Sequence, residues 1–164
     1  AVDRLAADPG SEAELEFAAR WATGWLHGAR RLAAAASRPA GILLIDSSKG
    51  LDAEEVHTQA LDLALRRAGF RVLVLSNELG DERLERALGA LDPTAIVLCG
   101  PNAETRDAVA LVRKIRDLGF VAPLFGFRAV GLIGAAVPSA GDSPSQVTGM
   151  LNADLRRRAS QAFA

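Results

Sequence analysis

At 164 residues and 49% hydrophobic content, the chain is long enough for one real core with a small helical appendage and too short for a second full domain. A formal net charge of −1 offers no concentrated basic footprint for phosphate backbones, which argues against nucleic-acid binding by this segment itself. One cysteine, Cys99, excludes an internal disulfide, and no apolar run approaches the ~20 residues of a membrane span or follows a basic leader.

A lone thiol fits a reducing compartment, so a cytoplasmic protein that does not enter a membrane is expected. Arginine outnumbers lysine heavily, with Lys49 and Lys114 the two lysines, a usage that suggests a GC-rich bacterial source. Because the sequence starts at Ala1 rather than Met, a fragment or processed product is expected.

Along the chain, Val2, Leu5 and Ala6 suggest a short helix stopped by Pro9-Gly10. Ser11 then caps a long helix with Glu12, Glu14 and Glu16 in its first turns. Leu15, Ala18, Trp21, Ala22, Trp25, Ala29 and Leu32 recur at three- and four-residue spacing, predicting a buried stripe that carries both tryptophans. Ser37-Arg38-Pro39-Ala40-Gly41 breaks this segment, which we assign to residues 1–38.

Four apolar runs follow, at Ile42–Ile45, Val72–Leu75, Ala95–Leu98 and Ala122–Phe125. Amphipathic helical stretches separate them. Asp52 with Glu55 reads as a capping box, and Gly69 as the left-handed cap closing that helix. Asp81 is expected to cap a helix with Leu84, Leu88 and Leu91 inward, ended by Asp92-Pro93. Asn102 is expected to cap the next, which carries Val109, Leu111, Val112, Ile115 and Leu118 and stops at Gly119. Ala135-Ala136-Val137 reads as an edge strand, and Ser143-Pro144-Ser145-Gln146 as a helix start. The last helix is expected to turn Val147, Met150, Leu151 and Leu155 inward and to end around Arg156–Arg158, where three basic residues complement its dipole. Residues 41–164 therefore read as an α/β domain with a five-stranded, doubly wound, mostly parallel sheet, preceded by a helical segment. Such sheets bind ligands beyond the carboxyl ends of their strands.

That spacing resembles two families, response-regulator receivers and the cobalamin-binding domains of methionine synthase, acyl-mutases and light-sensing MerR-type regulators. The second is closer, since a helical bundle precedes the sheet there. The family's Asp-x-His-x-x-Gly, counted back from Gly69, falls on Asp52-Ala53-Glu54-Glu55-Val56-His57. Glu54 stands where the resemblance expects the cobalt-ligating histidine, and His57 where it expects glycine. A carboxylate does not replace an imidazole on cobalt. An alternative register, Glu55-Val56-His57-Thr58-Gln59-Ala60, restores a histidine and shortens the following helix by about one turn. The family's Ser-x-Leu appears as Cys99-Gly100-Pro101 and its Gly-Gly as Gly126-Phe127, where Phe127 would intrude on the cofactor's nucleotide tail. Ten residues after Trp21 stands Arg31 in place of the sensors' Glu-His. A receiver would need an acidic cluster where Asp46-Ser47-Ser48 lies and a phosphoacceptor where Cys99 stands.

The resemblance implies a non-enzymatic sensory or oligomerisation domain of a bacterial transcriptional regulator that has lost cobalamin ligation. Cobalamin is therefore not expected as a cofactor, nor is a metal site, and DNA would be contacted through a module outside this chain. The alternatives are a photosensor or carrier binding cobalamin through atypical ligation and, behind it, a degenerate receiver. No acid–base or nucleophile constellation marks an enzyme. The candidate crevice residues are Ser47, Ser48, Glu54, His57, Cys99, Gly100, Gly126, Phe127, Gly141 and Ser143, with a small molecule or protein as ligand. His57 and Cys99 each have a plainer reading, a satisfied imidazole and a buried strand-end thiol. Trp21 and Trp25 are expected in bundle core, as a helical cap on the crevice, or in the interface of a homo-oligomer.

Overall fold

A computed structural model describes residues 1–48, 52–76, 80–100, 105–128 and 137–161. The four apolar runs form β1 (Gly41–Asp46), β2 (Arg71–Ser76), β3 (Pro93–Cys99) and β4 (Leu124–Phe127), with β5 (Ser139–Gly141) at the edge. Their order is β2-β1-β3-β4-β5, and every pairing is parallel. Parallel neighbours need crossovers, which α3 (Ala53–Arg67), α4 (Asp81–Leu91) and α5 (Thr105–Asp117) supply, while α6 (Pro144–Gln161) follows β5. This is the doubly wound, flavodoxin-like order.

Continuous apolar strands suit a sheet covered on both sides. Ile42, Leu44, Val97, Phe125 and Phe127 pack with Leu61 and Leu65 of α3 and Val147 and Leu151 of α6. On the other side, Leu43, Ile45, Ile96 and Leu98 meet Leu84 and Leu88 of α4 and Ile115 of α5.

The helix signals hold with local shifts. Asp52 accepts the Glu55 N–H at 2.7 Å. At the far end of α3, Phe70 N–H bonds Leu65 O and Gly69 N–H bonds Arg66 O, with Gly69 at φ +89°, the paired closure that a left-handed residue permits. Gly80 rather than Asp81 is the N-cap of α4. Asn102, Ala135 and Ala136 lie outside the described residues. Beyond them the edge strand forms at Ser139–Gly141, and Val137 is buried ahead of it. Helix α6 runs past Arg156–Arg158 to Gln161. Arg157 and Arg158 instead reach the buried carboxylate of Asp154.

The N-terminal helices α1 (Val2–Ala6) and α2 (Glu12–Arg31) add a third layer on the outer side of α3. Ala19 and Leu26, with Ala22, Ala29 and Ala33 beside them, meet Val56, Ala60 and Leu63 of α3. Arg30 of α2 reaches the fully buried Asp62 at 3.1 Å, and Arg66 holds the other oxygen of that carboxylate at 2.7 Å. The expected stripe is therefore corrected. Trp21 and Trp25 are 67% and 57% exposed and neither fills core nor caps the crevice. Small alanines and Leu26 make the seam with α3, and the tryptophans fall beside that seam rather than in it. The segment after α2 is strapped down as well. Ser37 and Arg38 N–H both donate to Gly69 O, at 3.1 and 3.0 Å, and the Arg38 guanidinium lies 4.8 Å over the Phe70 ring. Among the described residues, no helix is long and apolar enough to cross a membrane.

Candidate functional site

In this strand order the connections leave β1 and β3 in opposite directions, so the ligand crevice of such a sheet opens between their carboxyl ends. Ser47 and Ser48 follow β1, Cys99 ends β3 and Gly100 follows it. The two lips of the crevice are bonded to each other. The Ser47 N–H and hydroxyl both donate to the Cys99 carbonyl, at 3.1 and 2.6 Å. Gly100 turns away at φ +102°, and a Cβ there would stand 2.7 Å from Ser47 Oγ, so this contact depends on glycine. Ser48 N–H donates to the Asp46 carboxylate at 2.9 Å, and the Thr58 hydroxyl donates to the same oxygen at 3.5 Å.

The Cys99 side chain points into the core beside α3. Burial, reinforced by the Asp46 charge, pushes its thiol far above the usual range. It therefore stays protonated and is a poor nucleophile.

A second cluster sits where the N-terminus of α3 meets the end of β4. Arg128 donates from Nε to both Glu54 oxygens, at 3.1 and 3.3 Å, and from Nη2 to Glu54 at 3.1 Å and to Asp3 at 2.8 Å. His57 Nε2 lies 2.8 Å from the same Asp3 oxygen. The four side chains clasp α1 onto α3 and the end of the sheet. Partial burial raises the Asp3 carboxyl, but the hydrogen bond and charge of His57, then those of Arg128, outweigh it and hold the group below its usual range. The Glu54 hydrogen bond raises Arg128 against partial desolvation, with the Glu54 and Asp3 charges adding to it. Arg128 holds this position in a left-handed backbone, φ +54°, with its N–H on Gly141 O at 3.2 Å.

The expected crevice residues thus divide. Ser47, Cys99 and Gly100 touch one another, and Ser48 turns back onto Asp46. Glu54 and His57 join through Arg128 and Asp3. Gly126 and Phe127 belong to β4 rather than to a loop, and Phe127 is buried against α3 and α6. That placement follows from β4 extending two residues beyond the apolar run. Gly141 closes β5 at φ +114°, and Ser143 caps α6 by accepting the Gln146 N–H. Sequence reasoning missed Asp3 and gave Arg128 no role. A basic residue directly after a buried strand, with an acidic residue in the first turn of the neighbouring helix, was the signal available. Among the described residues, no group of three or more His, Cys, Asp or Glu side chains could hold a metal ion. No family model and no curated protein matches the chain.

Proposed function

We propose that this chain is a non-enzymatic sensory or regulatory domain of a bacterial, cytoplasmic transcriptional regulator. In this reading a cobalamin-binding-like fold has lost its ligating motif, and DNA contact belongs to a module outside the chain. The observation carrying it is the Glu54–Arg128 pair. At the position where the resemblance expects a metal-binding imidazole, a carboxylate is held by two nitrogens of a guanidinium. Binding a cofactor there would strip a largely buried carboxylate of its counter-charge. The bonded lips at Ser47 and Cys99 and the core placement of Phe127 support the same reading. These residues do not fit cobalamin. Signalling would then run through packing, with a ligand or partner shifting how α1 and α2 sit on α3.

The test is absorption spectroscopy after incubating the purified chain with hydroxocobalamin and passing it through a desalting column. No retained corrinoid is expected, and Arg128→Ala is expected to remain equally colourless. A retained corrinoid whose spectrum shows nitrogen coordination lost in His57→Ala would overturn the reading in favour of a cobalamin sensor or carrier.

A further inference from the structure

Helix α2 has two apolar sides, and α3 covers one. The other carries Phe17, Trp21, Trp25 and Leu32, exposed by 73, 67, 57 and 88%. These positions follow one another at four- and seven-residue spacing, so they form a single ridge along the helix. At the size of aromatic side chains, the three rings leave on the order of 450 Å² open per copy. A monomer's surface seldom carries a contiguous apolar patch of that extent without a use.

We infer that this ridge is a two-fold interface, in which α2 packs antiparallel on α2 of a second copy of the chain. Charge selects that occupant. Glu14 stands at the acidic first turn of α2 and Arg31 at its basic last turn, both exposed beside the ridge. Antiparallel pairing centred between Ala22 and Thr23 sets each Glu14 level with Arg31 of the second copy and opposes the two helix dipoles favourably. A parallel pairing would set like charges together. Shape agrees with charge. Gly24 and Gly28 lie on the same side with open space where a Cβ would be, although glycine is a weak helix former. They leave room for rings arriving from outside. Trp25 also borders an apolar furrow of about 730 Å³ between α2, α3 and α6, lined by Leu26, Ala60, Ala64 and Gly149. Ridge and furrow side by side make the surface self-complementary, as a two-fold contact requires. Two copies of the rings supply ~900 Å², and the flanking residues bring the contact to the ~1,000 Å² of a specific interface.

The inference does not rest on the regulatory reading, and the cobalamin result leaves it untouched. Its test is sedimentation equilibrium of the chain from low micromolar to near-millimolar concentration. The expected result is twice the chain mass, with Trp21→Glu and Trp25→Glu each weakening association at least ~tenfold. Glu14→Arg is expected to weaken it too, and adding Arg31→Glu to restore it. At concentrations where all are monomeric, Trp21→Glu and Trp25→Glu are expected to melt close to the parent, since most of each ring touches solvent. A monomer throughout the range, or a dimer insensitive to Trp21→Glu, would overturn the inference.

Discussion

Arg128 occupies a backbone region that a non-glycine residue enters at a disadvantage of about 1–2 kcal/mol, and its contacts with Glu54 and Asp3 offset that strain. Arg128→Ala keeps the strain and leaves the largely buried Glu54 carboxylate without its guanidinium, so a loss of roughly 1–3 kcal/mol is expected in denaturant unfolding. Arg128→Gly removes the same ion pair but relaxes the backbone, and should lose about 1 kcal/mol less. Asp3 gives the cluster an acid limit. Its carboxyl is lowered from 3.8 in the folded chain, so its contribution is complete above that ordinary value and fades as pH falls through the lowered one. Acidification through this range is expected to release α1, read as new protease cleavage before Glu12 that Asp3→Asn already shows at neutral pH. None of this was legible from the sequence, because Arg128 and Asp3 meet across 125 positions and a single Asp in a short amphipathic segment carries no local signal.

Elements fared better where one physical rule governed them. Strands β1 to β4 announced themselves because a sheet covered on both sides demands unbroken apolar runs. The start of α6 was readable from four residues: Gln146 accepts from Asp142 and Ser143 N–H at 2.9 and 3.1 Å, while Ser143 Oγ accepts from Gln146 N–H at 3.3 Å. Gln146→Ala is expected to lower stability by about 0.5–2 kcal/mol in thermal or denaturant melts, with Gln146→Glu retaining most of it. Helix α2 was misread because it satisfies two stripes at once. Periodicity weights large rings, whereas the face that meets α3 is chosen by Ala19, Ala22, Ala29 and Leu26, which permit close approach. Three-residue β5 lies below any periodic signal and is defined by its pairing with β4.

For the whole molecule, the third layer places α3 between the sheet and α2. Leu26→Ala empties part of the α2–α3 seam and is expected to cost about 2–4 kcal/mol. Partial proteolysis should then cut within residues 32–40 before the sheet domain is lost. The fold class was legible because right-handed crossovers leave few ways to arrange alternating strands and helices. The state of the crevice was not, since Ser47 and Cys99 are ordinary residues until the sheet places them side by side. That adjacency also sets an order of assembly. Ser47 and Cys99 are 52 positions apart, and α3, β2 and α4 all lie between β1 and β3. The central β1–β3 pair therefore closes a long loop before its contacts can repay the lost chain entropy. The unit β1-α3-β2 closes a shorter one and is the natural nucleus, so substitutions in β3 and β4 should speed unfolding more than they slow folding.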